Sequence, residues 1–467
     1  MKVLVIGAGA TGLAVAYLAS RAGVQVTVVE AAPRAGGLLS TFDVGDRCLL
    51  EHFYHHFFTH DAEICWLLRE LGLEERIEYR DTSMGVFRDG RLYPFNGAGD
   101  LLAFRPLRLV DRLRFGLSSA LLASFRGYAD REDIACLDWF DRWAGRAATD
   151  AIWRPLVESK FAAAAQRIPL AWMAGRLRQR ARSRKRGREQ LGYLAGSLQV
   201  LVDRLGEVLA AEGVEMILGQ PVAGIVMENG RAAGVRTDRS QIRADLVVST
   251  VPTPILAEWL RPIRPAYAER LARIRYLGAI CTILSLDEPL SDVYWTNVTD
   301  PGYDFSGLIE HTNLVPAAHY GRQHLVYLSR YLSVDDPLWK LSDESLLDRQ
   351  LFQLEAMFGR SLRPRLQRHW IFRTRFAATL TEMGFSRLIP AMKSPLPNLY
   401  VTSMCHIYPD ERSVNNSIRV AAELIRALGY PAIADAVPRG LSLSARYGAS
   451  DVLRVVTHPG TCDSAEE

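Results

Sequence analysis

At 467 residues the chain has room for two or three structural units. Nearly half of it is hydrophobic (49%) and 23% is charged, the balance of a globular protein with a large core, and the formal net charge of +4 argues neither for nor against a nucleic-acid partner. No run of about 18 uncharged apolar residues occurs, which excludes a membrane-spanning helix. The six cysteines (Cys48, Cys65, Cys136, Cys281, Cys405 and Cys462) are scattered and form no CxxC pair, so they read as reduced thiols and not as a disulfide framework. The N-terminus runs straight into an apolar strand, without the pattern of a signal peptide. The expected location is therefore the cytoplasm, with peripheral contact at the inner membrane surface left open.

Residues 2–6 (KVLVI) predict a buried parallel strand, 11–22 a helix and 25–30 (QVTVVE) a second strand, together one βαβ unit. A short amphipathic helix follows at 61–73, ending at Gly72, and then a hairpin at 84–95 turning at Asp89-Gly90. From about 98 to 185 the pattern is helical. Residues 197–212 predict a helix, and 214–218, 221–228, 231–237 and 244–250 predict strands, with a turn at Asn229-Gly230. The strands of a second sheet are expected at 277–286, 305–311, 324–332 and 367–376, with a helix at 343–358. A strand at 398–403, a helix at 415–428 and a loosely held tail complete the chain.

The first βαβ unit carries Gly7, Gly9 and Gly12 in a GxGxxG turn between strand and helix. The spacing has a physical basis: the first glycine makes the tight turn, the second lets backbone approach a pyrophosphate, and the third lets helix pack on strand. The helix N-terminus offers free N–H groups to the diphosphate. Glu30 ends the second strand 18 residues beyond Gly12, where a carboxylate accepts hydrogen bonds from a ribose diol and repels a 2′-phosphate. Just past it, Arg34, Gly36 and Gly37 form an R-x-G-G turn, a second point of close backbone approach that suits FAD better than NAD. Thr11 and Leu38 lie within these two turns and are counted with the cofactor site.

With these motifs in place, the chain resembles the superfamily of FAD-dependent amine oxidases, protoporphyrinogen oxidases and phytoene desaturases. Three segments carry the likeness: GAGATG with Glu30 and RAGG, then GYLAGSLQVLVDRL (192–205), then NLYVTSMCHIYPDERSVNNSIRVAAELI (398–425). The last departs from the family's usual Gly-Asp or Gly-Glu after the strand, having Ser403 and Met404 there; its IYPDER is similar to a subgroup of bacterial oxidoreductases labelled protoporphyrinogen oxidase. The resemblance implies an α/β fold with a Rossmann-like, discontinuous FAD-binding domain (1–60, 191–265 and 385–437) and an inserted α+β substrate domain (61–190 and 266–384), leaving 438–467 as a loose tail. It implies that Val222 holds the adenine through its backbone and that Met404 and Asn415 lie at the flavin. It also implies transfer of a hydride from a substrate C–H bond, next to an amine, alcohol or unsaturated system, to flavin N5. Two other functions stay open: a flavin-dependent sugar-nucleotide mutase with no net redox change, and a non-catalytic flavin-containing subunit.

Candidate residues for chemistry are fewer. EHFYHHFFTH carries His52, His55, His56 and His60, whose offsets share one face if the segment is helical. No Asp or Cys set completes a metal site and flavin chemistry needs none, so no metal is expected. In the resembled family the chain after R-x-G-G runs toward the ring, so His55 or His56 is expected to act as acid or base or to hold a substrate phosphate, with Glu51 as a second candidate. Tyr408 follows the C-terminal flavin strand and is the expected aromatic near the ring. Residues 176–188 (RLRQRARSRKRGR) hold seven arginines and one lysine without an acid. Arginine at alternate positions lines one edge of an extended chain; the run is either a solvated loop or a site for a diphosphate-bearing substrate or an anionic membrane. The absence of interleaved aromatics speaks against nucleic acid. Arg105, Arg108, Arg112 and Arg114 beside LSSALLASF allow an interfacial helix or a core helix with a basic edge.

Overall fold

The computed structural model describes residues 1–125, 131–185 and 188–440; the expected loose tail beyond 440, with Cys462, lies outside the described residues. The fold is mixed α/β. Five strands form a wholly parallel sheet in the order Glu215–Ile217, Gln25–Val29, Lys2–Ile6, Leu246–Ser249, Leu399–Val401. Their β-branched runs suit a sheet buried on both faces, and the period of two sends alternate residues to opposite sides. Val3, Val5, Val26 and Val28 pack under the helices Ala10–Arg21 and Val414–Ala427. Leu4, Ile6 and Val29 pack on the other face against Ile225 and Val235 of a three-stranded antiparallel sheet and against Leu256 and Leu260 of the helix Thr253–Leu260.

A second, seven-stranded sheet runs in the order Leu366–Thr379, Tyr276–Leu286, His324–Leu332, Gly307–Glu310, Trp295–Val298, Met84–Arg88, Arg91–Pro94. All its pairs are antiparallel except Trp295–Val298 with Met84–Arg88. The hairpin turning at Asp89-Gly90 is therefore the edge of this large sheet, and Trp295–Val298 is a strand that periodicity did not mark. A smaller antiparallel group joins Phe57–Phe58, Arg188–Leu194 and Ile77–Thr82.

A helical layer packs beside the seven-stranded sheet, including Leu109–Ser124, Cys136–Trp143, Arg154–Phe161 and Leu170–Arg182. Its core is aromatic: the Trp153 indole stacks on Phe115 (5.0 Å) and Phe140 (4.5 Å). Among the described residues no helix is long and apolar enough to cross a membrane.

Candidate functional site

A cavity of about 970 Å³ runs from the glycine-rich turn of the parallel sheet into the helical layer. Its first part is built almost entirely of backbone. Gly7 sits at φ +103°, and a Cβ on Gly12 would lie 1.9 Å from the Gly7 carbonyl oxygen, so neither position admits a side chain. Gly9 differs: it lines the cavity, and a Cβ there would meet nothing within 4 Å. The helix Ala10–Arg21 starts beside it with no side-chain cap, leaving its first N–H groups to the cavity. Gly36 and Gly37 fold back onto this turn, the Gly36 N–H donating to the Ala8 carbonyl at 2.8 Å. Glu30 braces both turns, its carboxylate accepting from the N–H of Ala8 (2.7 Å) and of Ala32 (2.8 Å). Thr11 and Leu38 also line the cavity, and Ser403, Met404, Ser413 and Val414 close it at the start of the C-terminal helix. This cradle fits an elongated dinucleotide: open space at Gly9 beside uncapped N–H donors for a diphosphate, and a carboxylate at the ribose position.

Four expected cofactor or flavin-side residues do not line this cavity. Arg34 is exposed and off the cavity wall. Val222 is paired with Thr237 in the antiparallel sheet and does not line the cavity. The Asn415 side chain turns away: its carbonyl oxygen accepts from the Ile64 N–H at 3.0 Å and its amide donates to Glu63 at 2.8 Å, pinning the helix Ala62–Glu70. Tyr408 is buried against Phe385, with ring centroids 5.1 Å apart, outside the main cavity.

The histidine segment is not a helix. Residues 52–56 are irregular between the strands Leu49–Glu51 and Phe57–Phe58, so the four rings share no face. His52 stacks on Phe372 at 4.0 Å and His60 on Phe58 at 5.5 Å. His55 and His56 line the cavity. Burial, with the Arg412 charge, pushes His55 down to about 4; burial, with Arg180, pushes His56 to about 3. Both are neutral at pH 7. The His55 Nδ1 lies 2.6 Å from the Phe53 carbonyl, so Nδ1 carries the hydrogen and Nε2 keeps a lone pair. Glu51 is off the cavity wall; it accepts from Tyr193 (2.6 Å) and the Leu198 N–H (2.7 Å), a structural role.

The arginine run also departs from the extended pattern. Arg176 to Arg182 lie on the helix Leu170–Arg182, where alternate positions diverge and every fourth residue aligns. Arg176, Arg180 and Arg184 line the cavity, whereas Arg178 is buried and Arg182 exposed; Arg186 lies outside the described residues. Arg176 pairs with Glu411 and lies 4.8 Å over Trp172, and Arg180 reaches Glu189 at 3.5 Å.

Sequence reasoning missed the rest of this cluster. Lys160 lies over Trp172 (5.0 Å) and Tyr331 (4.8 Å). Burial, reinforced by Arg176, holds its ammonium well below the usual lysine range. Arg412 bonds the Tyr331 hydroxyl. Burial alone would raise the Glu411 carboxyl, but Arg176, Lys160, Arg180 and Arg412 around it bring it down to about 2. Lys160 sits in a featureless helical run and had no signal; Glu411 and Arg412 had one in the IYPDER segment. One arm of the cavity is largely apolar, walled by Phe95, Leu101, Phe115, Ile152, Met173 and Leu177.

The family model of flavin containing amine oxidoreductases matches residues 10–425. The chain is 22% identical to 15-cis-phytoene desaturase of Synechococcus elongatus over 436 residues, 86% of this chain and 90% of that one. A second match, 26% identical over 178 residues to a protein of the same organism named "Probable zeta-carotene desaturase", covers 33% of this chain and 37% of that protein. Among solved structures, reduced UDP-galactopyranose mutase superposes with a TM-score of 0.71 at 16% identity, over 93% of this chain and 96% of the other, a likeness of fold. The glycine cradle and the near full-length match agree, and the chain belongs to the flavin-containing amine oxidoreductase family and is an FAD-dependent oxidoreductase.

Proposed function

We propose that the protein removes a hydride from a C–H bond of a largely apolar substrate that carries an anionic group, the bond lying next to an amine, alcohol or unsaturated system. The observation that supports this most is the shape of the cavity, which continues past the cofactor cradle into an apolar arm and holds a partly buried cationic cluster, Lys160, Arg176, Arg180 and Arg412, with Glu411 and Glu189 as its carboxylates. Bound FAD supplies the hydride-accepting centre. The chain's own residues bind, orient and exclude water. Arg176 and Arg180 offer planar guanidinium donors to a carboxylate or phosphate. The aromatic and aliphatic arm holds the rest of the substrate dry. Loss of hydride leaves a proton to be removed from the neighbouring N–H, O–H or C–H, and the neutral His55, with its Nε2 lone pair, is the group we assign to take it. An arriving anion favours the charged form of Lys160, which burial disfavours.

The cationic cluster also suits the diphosphate of a sugar nucleotide, which favours a mutase as the second reading. One experiment separates them. Under anaerobic conditions without an added acceptor, an amphipathic anionic substrate should bleach the oxidised flavin spectrum. If turnover instead requires prior reduction and leaves the spectrum unchanged, the mutase reading replaces this one.

A further inference from the structure

The helix Leu109–Ser124 has three faces with three environments. Phe115, Ser118 and Leu122 are buried in the aromatic core. Gly116, Ser119, Ala120 and Ala123 line the cavity. The third face is an unbroken apolar stripe: Leu109, Val110, Leu113, Leu117 and Leu121 are all exposed, Leu113 by 50% and Leu117 by 72%. Leu102, whose carbonyl is held by Arg112, and Trp143, whose carbonyl is held by Arg114, extend it; both are exposed. Scattered exposed leucines need no explanation, but a contiguous patch of this kind does.

The charges around the patch identify what covers it. Arg105, Arg108 and Arg114 stand exposed along the stripe, with Arg142 and Arg146 beyond Trp143, Arg146 lying 3.7 Å from Asp150; the other acids on this side are Asp111, Asp138 and Asp141. An apolar stripe bordered by arginine, with a tryptophan at its edge, matches the depth profile of an anionic bilayer surface: acyl chains inside, anionic headgroups outside, and indole between them. The cavity also opens on this side, since Ala98 and Ala120 both line it and are exposed.

We propose that this face docks the protein peripherally on an anionic lipid bilayer, with the helix Leu109–Ser124 lying in the interface, and that the mouth at Ala98 and Ala120 takes up a membrane-dissolved substrate. The uptake, unlike the docking, rests on the proposed oxidation in this cavity. Docking is tested without substrate, by flotation of the FAD-loaded full chain with vesicles of phosphatidylcholine alone or mixed with phosphatidylglycerol. The wild type should float with the mixed vesicles and lose binding as salt rises. Leu113→Gln/Leu117→Gln should weaken binding by more than about tenfold, since each inserted leucine contributes at least that in partition. Its FAD content should stay unchanged and its melting temperature nearly so, because Leu117 is mostly in water and Leu113 half so. Arg105→Gln/Arg108→Gln should lose the preference for anionic vesicles. A wild type that stays unbound, or a leucine variant that floats like the wild type, overturns the proposal. So does a wild-type dimer that the leucine variant converts to monomer, which would assign the face to a second copy of the chain. Failure of the anaerobic bleaching with flotation intact removes the proposed oxidation and leaves the docking standing.

Discussion

Two glycines three residues apart should fail in opposite ways. At Gly12 the helix packs so closely on the preceding turn that an added Cβ would stand 1.9 Å from the Gly7 oxygen and 2.9 Å from its carbonyl carbon. Gly7 cannot retreat, since it is held at φ +103° with its own Cβ direction blocked by Thr250 at 2.7 Å. Overpacking a core costs about 1–3 kcal/mol when side chains can shift; here the obstacle is backbone, so Gly12→Ala should cost about 3 kcal/mol or more, even without cofactor. Gly9 is extended, at φ −77° and ψ −178°, and a Cβ there meets nothing. In the cofactor-free protein the entropic gain of Gly→Ala, about 0.4–1 kcal/mol, roughly offsets the poorer helix cap. The methyl instead fills the space left for the diphosphate. Gly9→Ala should thus keep the melting temperature of the apoprotein and lose FAD, read as the ratio of flavin to protein absorbance. A Gly9→Ala protein with a full complement of FAD, or a Gly12→Ala protein as stable as the wild type, would refute the assignment of these two positions.

Further outcomes follow from the site. Glu30→Ala should weaken FAD binding by about 1.5–3 kcal/mol, and it should also lower apoprotein stability, because the N–H groups of Ala8 and Ala32 lose their acceptor. Asn415→Ala should lower the melting temperature, by about 1–3 kcal/mol of stability, yet leave FAD content intact, since its side chain serves Ile64 and Glu63; loss of FAD would return it to the flavin site. Acidification from about pH 6.5 to 4.5 should destabilise the protein: His55 and His406 (about 4) and His56 and His311 (about 3) stay neutral in the fold while their unfolded counterparts take up protons. Asp61 and Glu310, raised by burial to about 7, oppose this, because the fold keeps their protons over the same window, but they are fewer. A higher melting temperature at pH 5 than at pH 7 would contradict that balance.

The amino-acid sequence by itself determined the elements and the cofactor cradle. Strand and helix periods are local, and so is the requirement for glycine at residues 7 and 12: Gly7 turns at a positive φ, and the backbone that a Cβ on Gly12 would strike belongs to Gly7, five residues away. Glu30 was legible for the same reason: one strand and one helix set its distance from the turn. Tertiary structure decided what those elements surround. The strand Trp295–Val298 is defined by its pairing with Met84–Arg88, a partner that no local pattern announces. His55 and His56 reach the cavity from an irregular segment, not a helical face, because Phe57 and Phe58 are drawn into a sheet with Arg188–Leu194. Arg176 and Arg180 reach the cavity four residues apart, because packing on the aromatic core makes the first part of that run a helix. Lys160 and the adjacent Glu411 and Arg412 come from distant parts of the chain, and their perturbed charges arise from burial and mutual proximity. Burial and Coulomb interaction are properties of assembled surroundings, so which arginines reach the basic end of the cavity, and which leucines beside its mouth stay bare, was decided only in the folded chain.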